Sequence, residues 1–125
     1  MTEELVTLET AKLLKEKGFK EDVFTFYEAE CVEGDLELFE GYEAENFNVR
    51  TDCFSAPSQS IAQKWLRETK NLHIEISYMY ENYWIYDILT IPNHDLVGLS
   101  DRPLEHYKSY EEALEAGILE ALKLI

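Results

Sequence analysis

The sequence predicts an α+β fold. It reads as one antiparallel sheet of four to five strands, made from two hairpins, packed with three helices as a two-layer sandwich. The predicted order is α-β-β-(β)-α-β-β-α. Three observations carry this. Two segments alternate apolar and polar residues around turn residues, as strands of a hairpin do. Three others repeat apolar residues at helical spacing between recognisable caps. The chain has 125 residues and is 46% hydrophobic, which suits a single α+β domain over residues 1–125 with its own core.

The first helix is expected from Thr7 to Lys17. Thr7 is a suitable N-cap, and Leu8, Ala11 and Leu14 fall on one face, widened by Leu13. Gly18 supplies the left-handed position after the helix, and Phe19 can fold back on Leu14. Lys12, Lys15, Lys17 and Lys20 cluster toward the end of this helix, where cations complement the helix dipole. Val23-Phe24-Thr25-Phe26-Tyr27 and Leu36-Glu37-Leu38-Phe39 follow as a hairpin around the turn Glu33-Gly34-Asp35. Asn46-Phe47-Asn48-Val49-Arg50 alternates as a short strand would.

Pro57 or Ser58 opens the second helix, with Ile61, Ala62, Trp65, Leu66 and Thr69 on its apolar face and Asn71 just past its end. The clearest hairpin comes next. Its strands are His73 to Tyr80 and Tyr83 to Leu89, joined by Glu81-Asn82, with Ile74, Ile76, Tyr78 and Tyr80 on one face. Both faces of the return strand are apolar, which suits a strand covered on both sides. Residues 91–108 read as an irregular excursion, long enough that part of it should pair or pack. Ser109-Tyr110-Glu111-Glu112 is a capping box for the last helix. Ala113, Leu114, Gly117, Ile118, Ala121, Leu122 and Ile125 form its buried stripe. Gly117 in mid-helix costs about 1 kcal/mol against Ala, so a close approach is expected there.

Charge says more about partners than about chemistry. The net charge is −15, and between Glu21 and Phe47 there are ten carboxylates and no Lys or Arg. Such a surface repels a phosphate backbone or an anionic membrane, so neither direct nucleic-acid binding nor membrane binding is expected. Carboxylates two residues apart on a strand lie about 6.5–7 Å apart, near the spacing of backbone phosphates. Glu28 and Glu30, Asp35 and Glu37, and Glu43 and Glu45 have that spacing and form the candidate interaction surface. The alternative is a plain solubilising surface.

No catalytic constellation stands out. The five Gly are scattered, with no phosphate-cradling loop and no nucleophile elbow. Asn93-His94-Asp95 is the one local cluster with metal or acid-base character, and it also reads as a polar turn. Tyr78, Tyr80, Tyr83, Trp84 and Tyr86 would suit a base-stacking platform, but Glu75, Glu81 and Asp87 around them carry the wrong charge. Cys31 and Cys53 read as half-buried reduced thiols. With an acidic N-terminus that lacks a basic start, and no apolar run long enough to span a membrane, a cytoplasmic protein is expected.

Three stretches resemble small uncharacterised proteins of gut Bacteroidetes and their phages or prophages. They run from Thr7 to Phe19, from Ala56-Pro57-Ser58-Gln59 through Trp65 to Ile76, and from Ser109 to Gly117. The resemblance implies gene context and no functional residue. The expectation is therefore a small non-enzymatic interaction or phage accessory protein without cofactor or metal. Its partner would be a protein with a basic surface, and a homodimer is compatible with this. The alternative is a nucleic-acid mimic that inhibits a host nucleic-acid-binding protein.

Overall fold

The computed structural model describes residues 4–29, 36–97 and 106–125. The chain is α+β; among the described residues there are three helices and two small antiparallel sheets, and the chain divides into two compact units, Met1–Ser58 and Gln59–Ile125.

The first unit begins with α1 (Leu8–Glu16). Its ends follow the sequence signals closely. The Thr7 side chain accepts from the Thr10 N–H at 3.4 Å. At the other end Gly18 takes φ +94°, its N–H reaches the Lys15 carbonyl at 3.2 Å, and the Phe19 N–H reaches the Leu14 carbonyl at 2.9 Å. These paired bonds fold Phe19 back over the helix, and Phe19 and Leu14 are both buried.

Strand β1 (Val23–Ala29) pairs with β2 (Leu36–Glu45), with Phe26 opposite Phe39 and Glu28 opposite Glu37. β2 runs past the expected end at Phe39. The register shifts between Val23 and Thr25. The predicted turn Glu33-Gly34-Asp35 lies outside the described residues.

The expected strand at Asn46–Arg50 is instead a 3-10 helix, Phe47–Val49. The reason is local: the Asn46 side chain accepts from the Asn48 N–H at 3.1 Å, which closes the chain into a turn. The third strand lies just beyond, β3 (Cys53–Ser55), and joins the other edge of β1 to give the order β2-β1-β3. Asn48 ties this corner together. Its amide donates to the Phe19 carbonyl at 2.8 Å, and its side-chain oxygen accepts from the Ser55 N–H at 2.8 Å. Beneath it the Phe47 ring stacks on Phe26 at 4.1 Å.

The second unit holds α2 (Gln59–Thr69), β4 (Leu72–Met79), β5 (Tyr83–Thr90) and α3 (Tyr110–Lys123). β4 and β5 form their own two-stranded sheet, so the single sheet expected from sequence is corrected to two. Alternation shows which residues share a face; it does not show which edge a strand will meet. The apolar face of α2 is narrower than expected: Ala62, Trp65 and Leu66 are buried, while Ile61 and Thr69 are exposed. Asn71 takes φ +58°, the left-handed turn expected of it.

The hairpin loop is also corrected. Met79 is opposite Tyr83, so three residues, Tyr80-Glu81-Asn82, make the connection. Glu81 and Asn82 both have positive φ, 79° and 65°. The excursion does pair with β5: Trp84 and Tyr107 exchange backbone bonds at 2.8 and 3.0 Å, and the Val97 N–H reaches the Ile88 carbonyl at 2.9 Å. The Ile91–Pro92 peptide is cis.

α3 packs across β4 and β5, and a Cβ at Gly117 would meet Ile74 and the Tyr86 ring. Its cap is half as expected. The Ser109 hydroxyl accepts from the Glu112 N–H at 3.1 Å, but the Glu112 carboxylate takes the Lys108 N–H at 3.0 Å in place of Ser109's own. Ser109→Ala should therefore lower stability by about 1 kcal/mol. Hydrogen exchange at the Glu111 and Glu112 amides should speed up. Unchanged exchange would mean that the hydroxyl does not hold this helix end.

Candidate functional site

The first unit carries the acidic surface. Glu28 on β1 lies directly opposite Glu37 on β2 and directly opposite Cys53 on β3, so Glu37, Glu28 and Cys53 form one row across the sheet. Residues opposite one another in this way share a face with Cβ atoms about 5 Å apart, and like charges so placed are destabilising. Glu37 is exposed and Glu28 half-buried.

Cys53 is fully buried, not half-buried as expected. Its Sγ lies 3.4 Å from Glu28 Oε2 and 3.7 Å from Asp52 Oδ1, as a thiol donating to carboxylates would. Burial first, then the hydrogen bond to Glu28 and the charges of Glu28 and Asp52, push the thiol up to about 11. It therefore stays protonated at neutral pH and is a poor nucleophile. Glu28, Asp52 and Cys53 offer three ligand-type atoms within 4.8 Å of one another. A metal ion there would first have to displace the thiol proton. Sequence reasoning missed this grouping because only Asp52 and Cys53 are neighbours in the chain. Cys31 lies outside the described residues.

The six expected surface residues are only partly brought together. Glu28 and Glu37 meet. Glu43 lies within the register shift of β2 and Glu45 at its far side, roughly 20 and 27 Å along the strand from Glu37. Arg50 holds Glu45 at 3.0 Å. Glu30 and Asp35 lie outside the described residues. Three apolar side chains that sequence reasoning did not single out stand among these carboxylates: Phe24 is 55% exposed, Leu38 48% and Tyr42 105%. Phe24 lies at the register shift, between Val23 and Thr25, and is exposed although it stands two residues from buried Phe26.

The remaining candidates resolve into structural roles. Lys12 and Lys15 lie over the Phe54 ring at 5.9 and 4.7 Å. Lys15 also donates to the carbonyls of Arg50 and Cys53, the latter at 2.8 Å, so it anchors the entry to β3. The aromatic set of the second unit is mostly engaged within itself. Tyr78 packs on Trp84 at 4.9 Å, Trp84 on Tyr110 at 5.6 Å, and Tyr83 on His106 at 3.7 Å. Asn93-His94-Asp95 forms a turn, with the His94 N–H on the Thr90 carbonyl at 2.8 Å and the Asp95 N–H on Thr90 Oγ1 at 3.0 Å.

Among the described residues no helix is long and apolar enough to cross a membrane. Compared with known proteins, the chain matches no family model, no curated protein and no solved structure.

Proposed function

We propose that the protein is a non-enzymatic, cytoplasmic interaction protein that docks on a partner through the acidic ribbon of β1 and β2. The observation that carries this is the mixture on that ribbon. Exposed Glu37, Glu40 and Glu43 are interleaved with exposed Leu38 and Tyr42, and Phe24 stands beside them. A surface that served solubility alone gains nothing from three exposed apolar side chains. A protein-binding surface does, because aromatic residues supply area while the charges select the partner. The partner's surface should be basic.

The narrower reading is a nucleic-acid mimic. The opposed pair Glu28 and Glu37 favours it, since it concentrates negative charge. The register shift counts against an even row of carboxylates.

The test is capture from a host lysate on the immobilised protein, wild type against the triple variant Glu37→Lys, Glu40→Lys, Glu43→Lys. The wild type should retain a basic protein that elutes as salt rises, and the variant should not. Its melting temperature should be nearly unchanged, since exposed charges contribute little to stability. Equal capture by both proteins would overturn the proposal. Release of the captured protein by duplex DNA would select the mimic reading. Direct retention of DNA in a low-salt gel shift is not expected.

A further inference from the structure

The second unit contains a concavity of about 320 Å³ that belongs to none of the surfaces above. That size lies at the lower end for small-molecule sites, which run from about 300 to 1,000 Å³. Three segments build it. Arg67 comes from the last turn of α2. His73 and Leu89 are directly opposite each other on β4 and β5. Ile91, Pro92 and His94 come from the turn that follows β5. Backbone bonds lock these segments to one another: the Ile91 N–H reaches the Asn71 carbonyl at 3.0 Å, and the His94 N–H reaches Thr90.

The chemistry of the walls runs against the rest of the chain. The protein has 26 acidic residues and 11 basic ones, yet among the described residues no carboxylate lines this cavity. Its polar side chains are an arginine, two histidines and Thr90. Among the described residues Arg67 makes no ion pair. His73 Nδ1 is buried without a hydrogen-bond partner. That nitrogen has almost no accessible surface, so a ligand in the cavity does not reach it. The rest of the wall, Leu89, Ile91 and Pro92, is apolar.

We propose that this cavity binds a small monocarboxylate with a compact apolar body. Arg67 takes the carboxylate, with His94 donating to it, His73 forms part of the wall, and Leu89, Ile91 and Pro92 hold the apolar part. Arginine suits this role because its planar fork matches a carboxylate and it stays charged at any working pH.

The probe is sodium benzoate, titrated into the isotope-labelled full chain at constant ionic strength. The side-chain signals of Arg67, His73 and His94 are followed by NMR. Saturable shifts at these residues are expected, with a Kd in about the millimolar range for so small a ligand. Arg67→Gln should weaken binding by about tenfold or more, the loss of a charge-assisted hydrogen bond. Ile91→Ser should weaken benzoate, and inorganic phosphate should not bind. Benzyl alcohol, which keeps the ring and lacks the charge, should not bind. The inference is overturned by shifts that do not saturate, by equal affinity in Arg67→Gln, or by benzyl alcohol or phosphate binding as well as benzoate. The wild-type spectrum of each variant, away from the cavity, reports that it is folded.

Discussion

Trp65→Ala should destabilise the protein by about 3–5 kcal/mol, the usual cost of truncating a buried Trp. The ring is only 6% exposed, next to fully buried Ala62 and Leu66, and Lys70 Nζ caps it at 5.6 Å. Removing it leaves a void that α2, held against β4 and α3, cannot close by a small shift. Such a loss is a large fraction of the stability of a typical domain, about 5–15 kcal/mol. Urea melts followed by circular dichroism would measure it. The substitution leaves Trp84 as the remaining tryptophan, so fluorescence then reports on the hairpin alone. Ile61→Ala on the same helix, at a side chain that is 40% exposed, should change little. A shift of less than about two degrees for Trp65→Ala would place the ring outside the core.

Gly117→Ala tests how tightly α3 packs on β4 and β5. In an exposed helix this change stabilises by about 1 kcal/mol. Here a Cβ would sit 2.7 Å from Ile74 Cγ2 and 3.2 Å from the Tyr86 ring. Ile74 is fully buried and β-branched, so its methyl has no room to yield. Overpacking of this kind costs about 1–3 kcal/mol and outweighs the gain in propensity. The variant should melt below wild type, and Gly117→Val lower still. Ile74→Ala removes the opposing methyl, so it should be less damaging in the Gly117→Ala background than in wild type, a coupling that a double-mutant cycle resolves. A higher melting temperature for Gly117→Ala would show that helix and strand stand further apart.

These two positions also show what the sequence could tell. Trp65 and Gly117 were legible because each is a local signal: a large ring on an apolar stripe, and a glycine where the helix is weakened by it. The ends of α1 were legible for the same reason, since Thr7, Gly18 and Phe19 act within a few residues of one another. Elsewhere a turn or a partner far along the chain decided the structure, and alternation reports neither. The hairpin faces were correct, yet Tyr80 left the strand because the loop holds three residues. Asn46 bent the chain that alternation would have extended. The strands were found, but their division into two sheets depends on edges, which alternation does not encode.

The candidate sites obey the same division. A run of glutamates is visible in one dimension. That Glu28 faces both Glu37 and Cys53 is a matter of register, set partly by β3, a strand of three residues with no pattern of its own. Arg67, His73 and His94 come together only because Asn71 and Thr90 turn and bind the chain at one end of the hairpin.

β2 is an outer strand of its sheet, ten residues long, and among the described residues no strand adds to its far side. Unoccupied strands of that length are where chains polymerise, because the backbone itself offers a row of donors and acceptors. Glu37, Glu40 and Glu43 stand exposed along it, while Glu45 is held by Arg50. A second copy pairing along β2 would bring like charges together, a repulsion that is strongest in low salt. The edge is thereby guarded by charge against the polymerisation that its length invites.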